Sequence, residues 1–357
     1  MNHSTLRLLG IASAGIVLAL APAARAQSAC DADTNDDGAV DSADLGALLS
    51  QWGPCKACGS DLNRDGQVDS SDLGALLSLW GESCNPLPWA TVLEQSPDPA
   101  IVTNAALRDA IVATGFPWRV RDNETQIEMV LIPPGSFQMG CSVSNAYLCS
   151  GNEGPIHTVT LTNAFYIGRY EVTQAQWTAV NGLNPSHFSG PNYPNSGNRP
   201  VERVSWINAT NFCAGLGLRL PTEAEWEYAY RAGTTTAYHS MPGYPDGTND
   251  EELAGNIGWN ELNSGNQTHN VGQLAPNGFG FHDMAGNVNE WCSDWLGPYS
   301  AEPQTNPTGG SPKSGYRVLR GNAFNSPRYY LRSSKRWGFL PNYQFSWIFG
   351  LRVARNP

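Results

Sequence analysis

RLPTEAEWEYAYRAG, residues 219–233, is the stretch whose reading decides the fold class. Thr222 followed by Glu225 is a capping box, with Pro221 just outside it, so the spacing predicts a helix opening there. Trp226, and Ala229 or Tyr230 after it, are expected to face a core. Working outward, Thr173 and Gln176 in FYIGRYEVTQAQW (165–177) form a second capping box, which opens a short helix through Trp177. MVLIPPGSFQMG (129–140) reads as strand, Pro-Gly turn and strand, and most other Gly/Asn clusters read as turns. The expectation is an α+β globule with low regular secondary structure, made of short helices, short strands and long ordered loops.

Composition agrees. The chain has 357 residues, 41% of them hydrophobic and only 15% charged, which is too apolar for a disordered chain. Gly (37), Pro (25), Trp (12) and Tyr (13) mark a loop-rich, aromatic globule and not a helical bundle. The net charge of −11 argues against nucleic acid as a partner, which needs a basic footprint. The acid is uneven: residues 27–84 hold 11 Asp/Glu against Lys56 and Arg64. Two kinds of module therefore join near residue 85.

Residues 1–26 read as a signal peptide. Arg7 precedes an uncharged apolar run over 8–20, and Ala24-Arg25-Ala26 is a small-x-small cleavage pattern. The expected mature protein is secreted, periplasmic or on the cell surface. It has no membrane span after cleavage, and its cysteines meet an oxidising compartment.

Residues 27–84 contain one unit written twice, CDADTNDDGAVDSADLGALLSQWGPC (30–55) and CGSDLNRDGQVDSSDLGALLSLWGESC (58–84). In the loop 33–44, Asp33, Asn35, Asp37, Asp41 and Asp44 stand at positions 1, 3, 5, 9 and 12 of a calcium loop. The Ala39 carbonyl is at position 7 and Gly38 at the sharp turn. In the loop 61–72, Asp61, Asn63, Asp65, Asp69, Asp72, the Gln67 carbonyl and Gly66 repeat the pattern. Leu45, Leu48, Leu49 and Trp52, like Leu73, Leu76, Leu77 and Trp80, are expected as one apolar helix face. The span before the first loop is too short for a helix. The Asp at position 12 and the missing first helix resemble the dockerin type I repeat, a loop-plus-one-helix relative of the EF-hand. That resemblance implies a small all-α calcium-loop module and a cohesin-like or cell-envelope partner. The repeat suggests disulfides Cys30–Cys55 and Cys58–Cys84, one per copy, among three connectivities. Residues 85–122, with Pro86, Pro88, Pro97 and Pro99 and a helical pattern around 105–113, read as a Pro-rich linker with one short helix.

From residue 123 to 357 the motifs above continue with PVERVSW (200–206), PNGFGFHDMAGNVNEW (276–291), YRVLRGNAF (316–324) and FGLRVA (349–354). The ordered series resembles the formylglycine-generating enzyme, or sulfatase-modifying factor, family. The resemblance implies that family's fold with a C-type-lectin-like core. It also places a calcium on Asp283, the Gly286 and Val288 carbonyls and Glu290, where two carboxylates and turn carbonyls make a plausible hard-cation cage. Asn256 and Ile257 match part of a second calcium site, whose remaining ligands fall in the shortened segment 264–270. The family's catalyst uses two copper-binding cysteines in the C-terminal stretch, which here is RGNAFNSPRYYLRSSKRWGF (320–339) and contains none. Soft Cu(I) needs soft ligands, so no copper is expected and no catalytic residue is assigned. The expected function is non-catalytic binding of a peptide or glycan. The family's substrate groove would be lined by Arg320, Arg328, Arg332, Lys335, Arg336 and Arg352 with Tyr329, Tyr330, Trp337, Phe339 and Tyr343. The alternative is an oxygen-dependent enzyme of the family with other catalytic ligands. Cys141 and Cys149 bracket a short loop and are expected to pair. Cys213 and Cys292 either pair or stay buried.

Overall fold

The computed structural model describes residues 29–35, 38–55, 58–82, 87–141 and 149–357. The signal-peptide segment, Asp37 and Cys84 lie outside them. The chain divides into two units, Met1–Cys84 and Asn85–Pro357. Among the described residues no helix is long and apolar enough to cross a membrane.

In the first unit a single turn, α1 (Ala29–Ala32), precedes the first loop, where the sequence reading allowed no helix. Each loop then runs into a nine-residue helix, α2 (Ser42–Ser50) or α3 (Ser70–Ser78). Both are opened by a capping box, Asp41 with Asp44 and Asp69 with Asp72, so the acids that fit a calcium loop also cap helices. The unit is not all-α. Strand β1 (Gly53–Pro54) pairs antiparallel with β2 (Gln67–Val68), locking the end of the first copy onto the second loop. That ladder carries Cys55 to Cys58, 6.1 Å apart at Cα, and these two form a disulfide across the junction. The expected one-per-copy pairing is therefore replaced. The apolar faces also differ from expectation. Leu48 and Leu76 are buried beside Ala32, Val40, Leu62 and Val68, whereas Leu49, Trp52, Leu77 and Trp80 are exposed. Two short helices in so small a unit cover one narrow strip each, and the outer half of each stripe stays in water.

In the second unit, β3 (Ala90–Glu94), β4 (Arg119–Asp122), β5 (Glu128–Ile132), β8 (Phe165–Gly168) and β16 (Ala354–Arg355) form an antiparallel sheet in the order β16-β8-β5-β4-β3. Residues 87–122 are thus not a linker. They supply two strands, α4 (Ala105–Val112) capped by Asn104, and the buried Leu87, Val102, Ile111, Trp118 and Val120. Pro97 and Pro99 lie in the connection between β3 and α4. The two strands of MVLIPPGSFQMG go to different sheets: β6 (Gly135–Met139) pairs with β7 (His157–Leu161), which also carries β12 (Gln304–Thr305). A third sheet has the order β14-β13-β11-β15, from Trp337–Phe339, Arg317–Arg320, Asn289–Trp295 and Phe349–Gly350. A short parallel pair joins β9 (Gly258–Trp259) to β10 (Ala285–Gly286). The helices α5 (Gln174–Asn181), α6 (Trp206–Cys213) and α7 (Glu223–Arg231) all begin at capping boxes, including the two legible in sequence. On α7 only Glu225 escapes burial, so the helix runs through the core with Glu223, Glu227 and Arg231 inside.

Candidate metal cage and binding surfaces

Residues 283–290 turn tightly. Asp283, Gly286 and Asn287 all have left-handed backbone, and a Cβ at Gly286 would stand 2.0 Å from the Trp259 carbonyl oxygen, so only glycine fits there. β11 then places Glu290 opposite Arg320 of β13 and Gly350 of β15. The tertiary structure adds a third acid that the sequence reading passed over. Glu171, between β8 and α5, is buried, and its two oxygens accept from the Val288 amide (3.0 Å) and Asn287 Nδ2 (2.6 Å). A carboxylate next to the apolar stretch FYIG and the capping box was the available signal, since a buried acid needs a partner.

The cage is electrostatically unbalanced. Three buried carboxylates, Glu171, Asp283 and Glu290, share the field of the Arg352 guanidinium, although among the described residues their oxygens do not all come within 4.8 Å of one another. Glu290 takes it bidentately (2.8 and 3.0 Å) and also accepts from Trp226 Nε1 (2.6 Å), so its lone pairs are well used. Asp283 Oδ2 accepts from the Gly272 amide (2.6 Å), while among the described residues nothing donates to the buried Oδ1. Burial pushes the Asp283 carboxyl up to about 6, and burial with the Asp283 and Glu290 charges pushes Glu171 well above the carboxylate range. All donors here are oxygens. An orphaned buried oxygen and excess negative charge fit a hard divalent cation. Asn256 ends a 3-10 turn with its carbonyl accepting from the Ala275 amide, and the Ile257 side chain is buried. That turn leads into β9, and the nearer of its two acids, Glu252, is engaged by Arg328.

In the first unit the loop acids are satisfied by backbone. Asp44 accepts from the Thr34, Asn35 and Asp41 amides, and Asp72 accepts from those of Leu62, Asn63 and Asp69. Asp33 and Asp61 accept from the amides of Gly38 and Gly66, both left-handed at φ 93° and 90°. Asp65 accepts from the Gln67 amide and Asn63 Nδ2.

The expected arginine-lined groove is not an open groove. Arg320, Arg332, Arg336 and Arg352 are all fully buried. Arg320 pairs with Glu227 and Glu223, Arg336 holds Glu223 at 2.6 and 2.8 Å, and Arg332 with Lys335 holds Glu153. The inward acids of α7 recruit Arg320 and Arg336, while Glu153 and Glu290 hold the others, because a buried charge requires a partner. What remains at the surface is aromatic. Tyr330 stands 4.5 Å from Tyr329 and 5.5 Å from Trp337, Lys335 Nζ sits over the rings of Tyr330 and Trp337, and Trp337 Nε1 donates to Asn322 Oδ1 (2.6 Å). Leu340, Tyr343, Phe345 and Trp347 are exposed in the loop that follows.

Cys141 and Cys149 are joined. Cys213 on α6 and Cys292 on β11 are unpaired and buried. Burial pushes the Cys213 thiol up to about 12 and the Cys292 thiol well above its ordinary value.

Residues 102–357 match the model of the sulfatase-modifying factor enzyme 1-like domain. The chain belongs to this family. Formylglycine-generating enzymes are among its members: that of Thermomonospora curvata is 31% identical over 55% of this chain and 82% of its own. The chaperone protein LppX of Paenibacillus barcinonensis is 33% identical over 47% of this chain and 71% of its own. Among solved structures, Treponema denticola variable protein 1 superposes with a TM-score of 0.56 at 31% identity, over 65% of this chain and 95% of that one. The family fold is mixed α/β with low regular secondary structure, as the second unit shows.

Proposed function

We propose that this member of the sulfatase-modifying factor family is an exported, calcium-holding binding protein that does not carry out copper-dependent oxidation of a substrate cysteine. The observation that carries this reading is the state of the thiols. No cysteine follows Cys292, and the free thiols of Cys213 and Cys292 are buried and hold their protons. Cu(I) takes soft thiolates, and these thiols keep their protons, so the residues present do not fit copper.

Calcium fits better. In the second unit Asp283, Glu171 and the Gly286 and Val288 carbonyls would hold it, with Glu290 adding charge while it keeps Arg352. The bound ion supplies charge balance. The protein residues orient the 283–290 turn and exclude water from it. In the first unit the dockerin-like loops 33–44 and 61–72 would take one ion each. Leu49 and Leu77 near the ends of α2 and α3, with Trp52 and Trp80 just beyond them, occupy equivalent exposed positions in the two copies, which suits docking to a cohesin-like or cell-envelope partner. The Tyr329–Tyr330–Trp337 surface supports peptide or glycan binding, because flat pinned rings offer stacking area at little entropic cost.

The test is to incubate the purified protein with copper, oxygen and a Cys-x-Pro-x-Arg peptide, beside a thiol-containing relative. An unchanged peptide mass is expected, with conversion by the relative. Formylglycine formation by this chain would overturn the reading.

A further inference from the structure

Within residues 87–357 every arginine but one gives its guanidinium to an acid or a carbonyl. The exception is Arg203: among the described residues nothing accepts from its guanidinium. It is half-buried in a groove of about 590 Å³ between the end of α5, the start of α6 and residues 344–345. Its backbone is left-handed at φ 61°, a conformation that costs an arginine free energy and persists only where the surroundings impose it. The Arg203 amide donates to the Ser346 carbonyl (3.2 Å), which ties it to the far wall of the groove. The neighbouring acid, Glu202, is buried and accepts from the Phe188 amide (2.8 Å), so it acts on Arg203 only through space.

The rest of the lining is mixed, with Asn181, Asn184 and Gln344 among apolar side chains. Asn208 spends its Oδ1 on the Ser205 amide and hydroxyl, leaving its NH2 to donate. The same groove is lined by the buried Trp177 and by Leu183 and Phe345, which are 80% and 67% exposed. A forked cation and an amide donor beside bare apolar side chains complement a carboxylate attached to an apolar group. An Asp or Glu side chain carries its carboxylate at the tip, with nothing apolar beyond it. A chain terminus carries its carboxylate on the same Cα as its own side chain.

We propose that this groove binds the C-terminal carboxylate of a peptide whose last residue is bulky and apolar. Arg203 takes the carboxylate as a two-pronged donor, Asn208 adds a hydrogen bond, and Leu183 and Phe345 close over the side chain. The site goes beyond the binding reading above. It shares none of the Tyr330–Trp337 platform and needs no metal, so it stands or falls separately.

The test is calorimetry of the full chain with acetyl-Ala-Ala-Phe as free acid, as C-terminal amide, and with acetyl-Ala-Glu-Ala amide. The free acid is expected to bind, and the two amides at least about tenfold more weakly. Arg203→Gly removes the guanidinium and relieves the backbone. It is expected to melt no lower than wild type and to lose at least about tenfold in affinity. Phe345→Ala, at an exposed position, is expected to weaken binding severalfold without a change in melting. The proposal is overturned if the free acid shows no binding at about 5 mM, a weak limit for a specific site. Equal binding of acid and amides, or undiminished binding by both variants, would overturn it too.

Discussion

Asp283 Oδ1 is a buried carboxylate oxygen with no hydrogen-bond donor among the described residues, and its neighbours Glu171 and Glu290 are also acids. The cage is therefore expected to be stabilised by calcium. At a concentration one hundred times the dissociation constant the gain is about 2.7 kcal/mol, read as a rise in Tm that a chelator reverses. Asp283→Asn should abolish most of that rise in the second unit. A second residue sets a pH dependence. Asp294 accepts from the Glu223 amide and the Ser293 hydroxyl, and burial, then the Glu223 charge, pushes it up to about 7. Between its ordinary value near 4 and about 7 the unfolded chain loses this proton while the folded one keeps it. The Asp294 contribution to stability is thus full at low pH, falls as pH rises through that window, and is flat above it. Asp294→Asn should flatten this part of the curve in urea melts between pH 4 and pH 8, and gain about 1 kcal/mol or more at pH 8.

At the scale of elements, α7 shows what a short pattern carries. Thr222 and Glu225 fixed its start, and Trp226, Ala229 and Tyr230 are all buried as their spacing required. The pattern does not show that Glu223, Glu227 and Arg231 also go inside, because those charges are buried only where β13 and the 332–336 segment bring Arg320 and Arg336 to meet them. Arg320→Met should destabilise by about 3–5 kcal/mol, since it leaves Glu227 and Glu223 undercompensated in the core. Combining it with Glu227→Gln should recover part of that loss. A shift of the urea midpoint measures both. In the first unit the Gly66 turn is set by backbone conformation rather than by crowding, as the nearest atom to a Cβ would be 3.7 Å away. Gly66→Ala is expected to cost about 1 kcal/mol from the left-handed φ alone, read as an earlier loss of the 58–82 helix signal.

The whole molecule is two units, and where the second begins is a tertiary fact. A chain beginning at residue 85 is expected to fold with an unchanged melting temperature. One beginning at Asn123, where the motifs start, loses β3, α4 and β4 and bares the edge of β5, so it is expected to aggregate; soluble yield and Tm distinguish the two. Sequence alone determined the family, the repeated acidic loops, the capping boxes and the lack of C-terminal thiols. All of these are carried by residue type at short spacing, where the chain is its own ruler. The tertiary structure decided which of several possible partners each group meets. It turned Arg320, Arg332, Arg336 and Arg352 into core counter-ions while Arg328 pairs with the exposed Glu252, brought Glu171 near Asp283 and Glu290, joined Cys55 to Cys58, and left Arg203 without an acceptor among the described residues. Those outcomes depend on distances between residues far apart in the chain. Loop closure and the need to neutralise each buried charge select among them, and no local pattern records that selection.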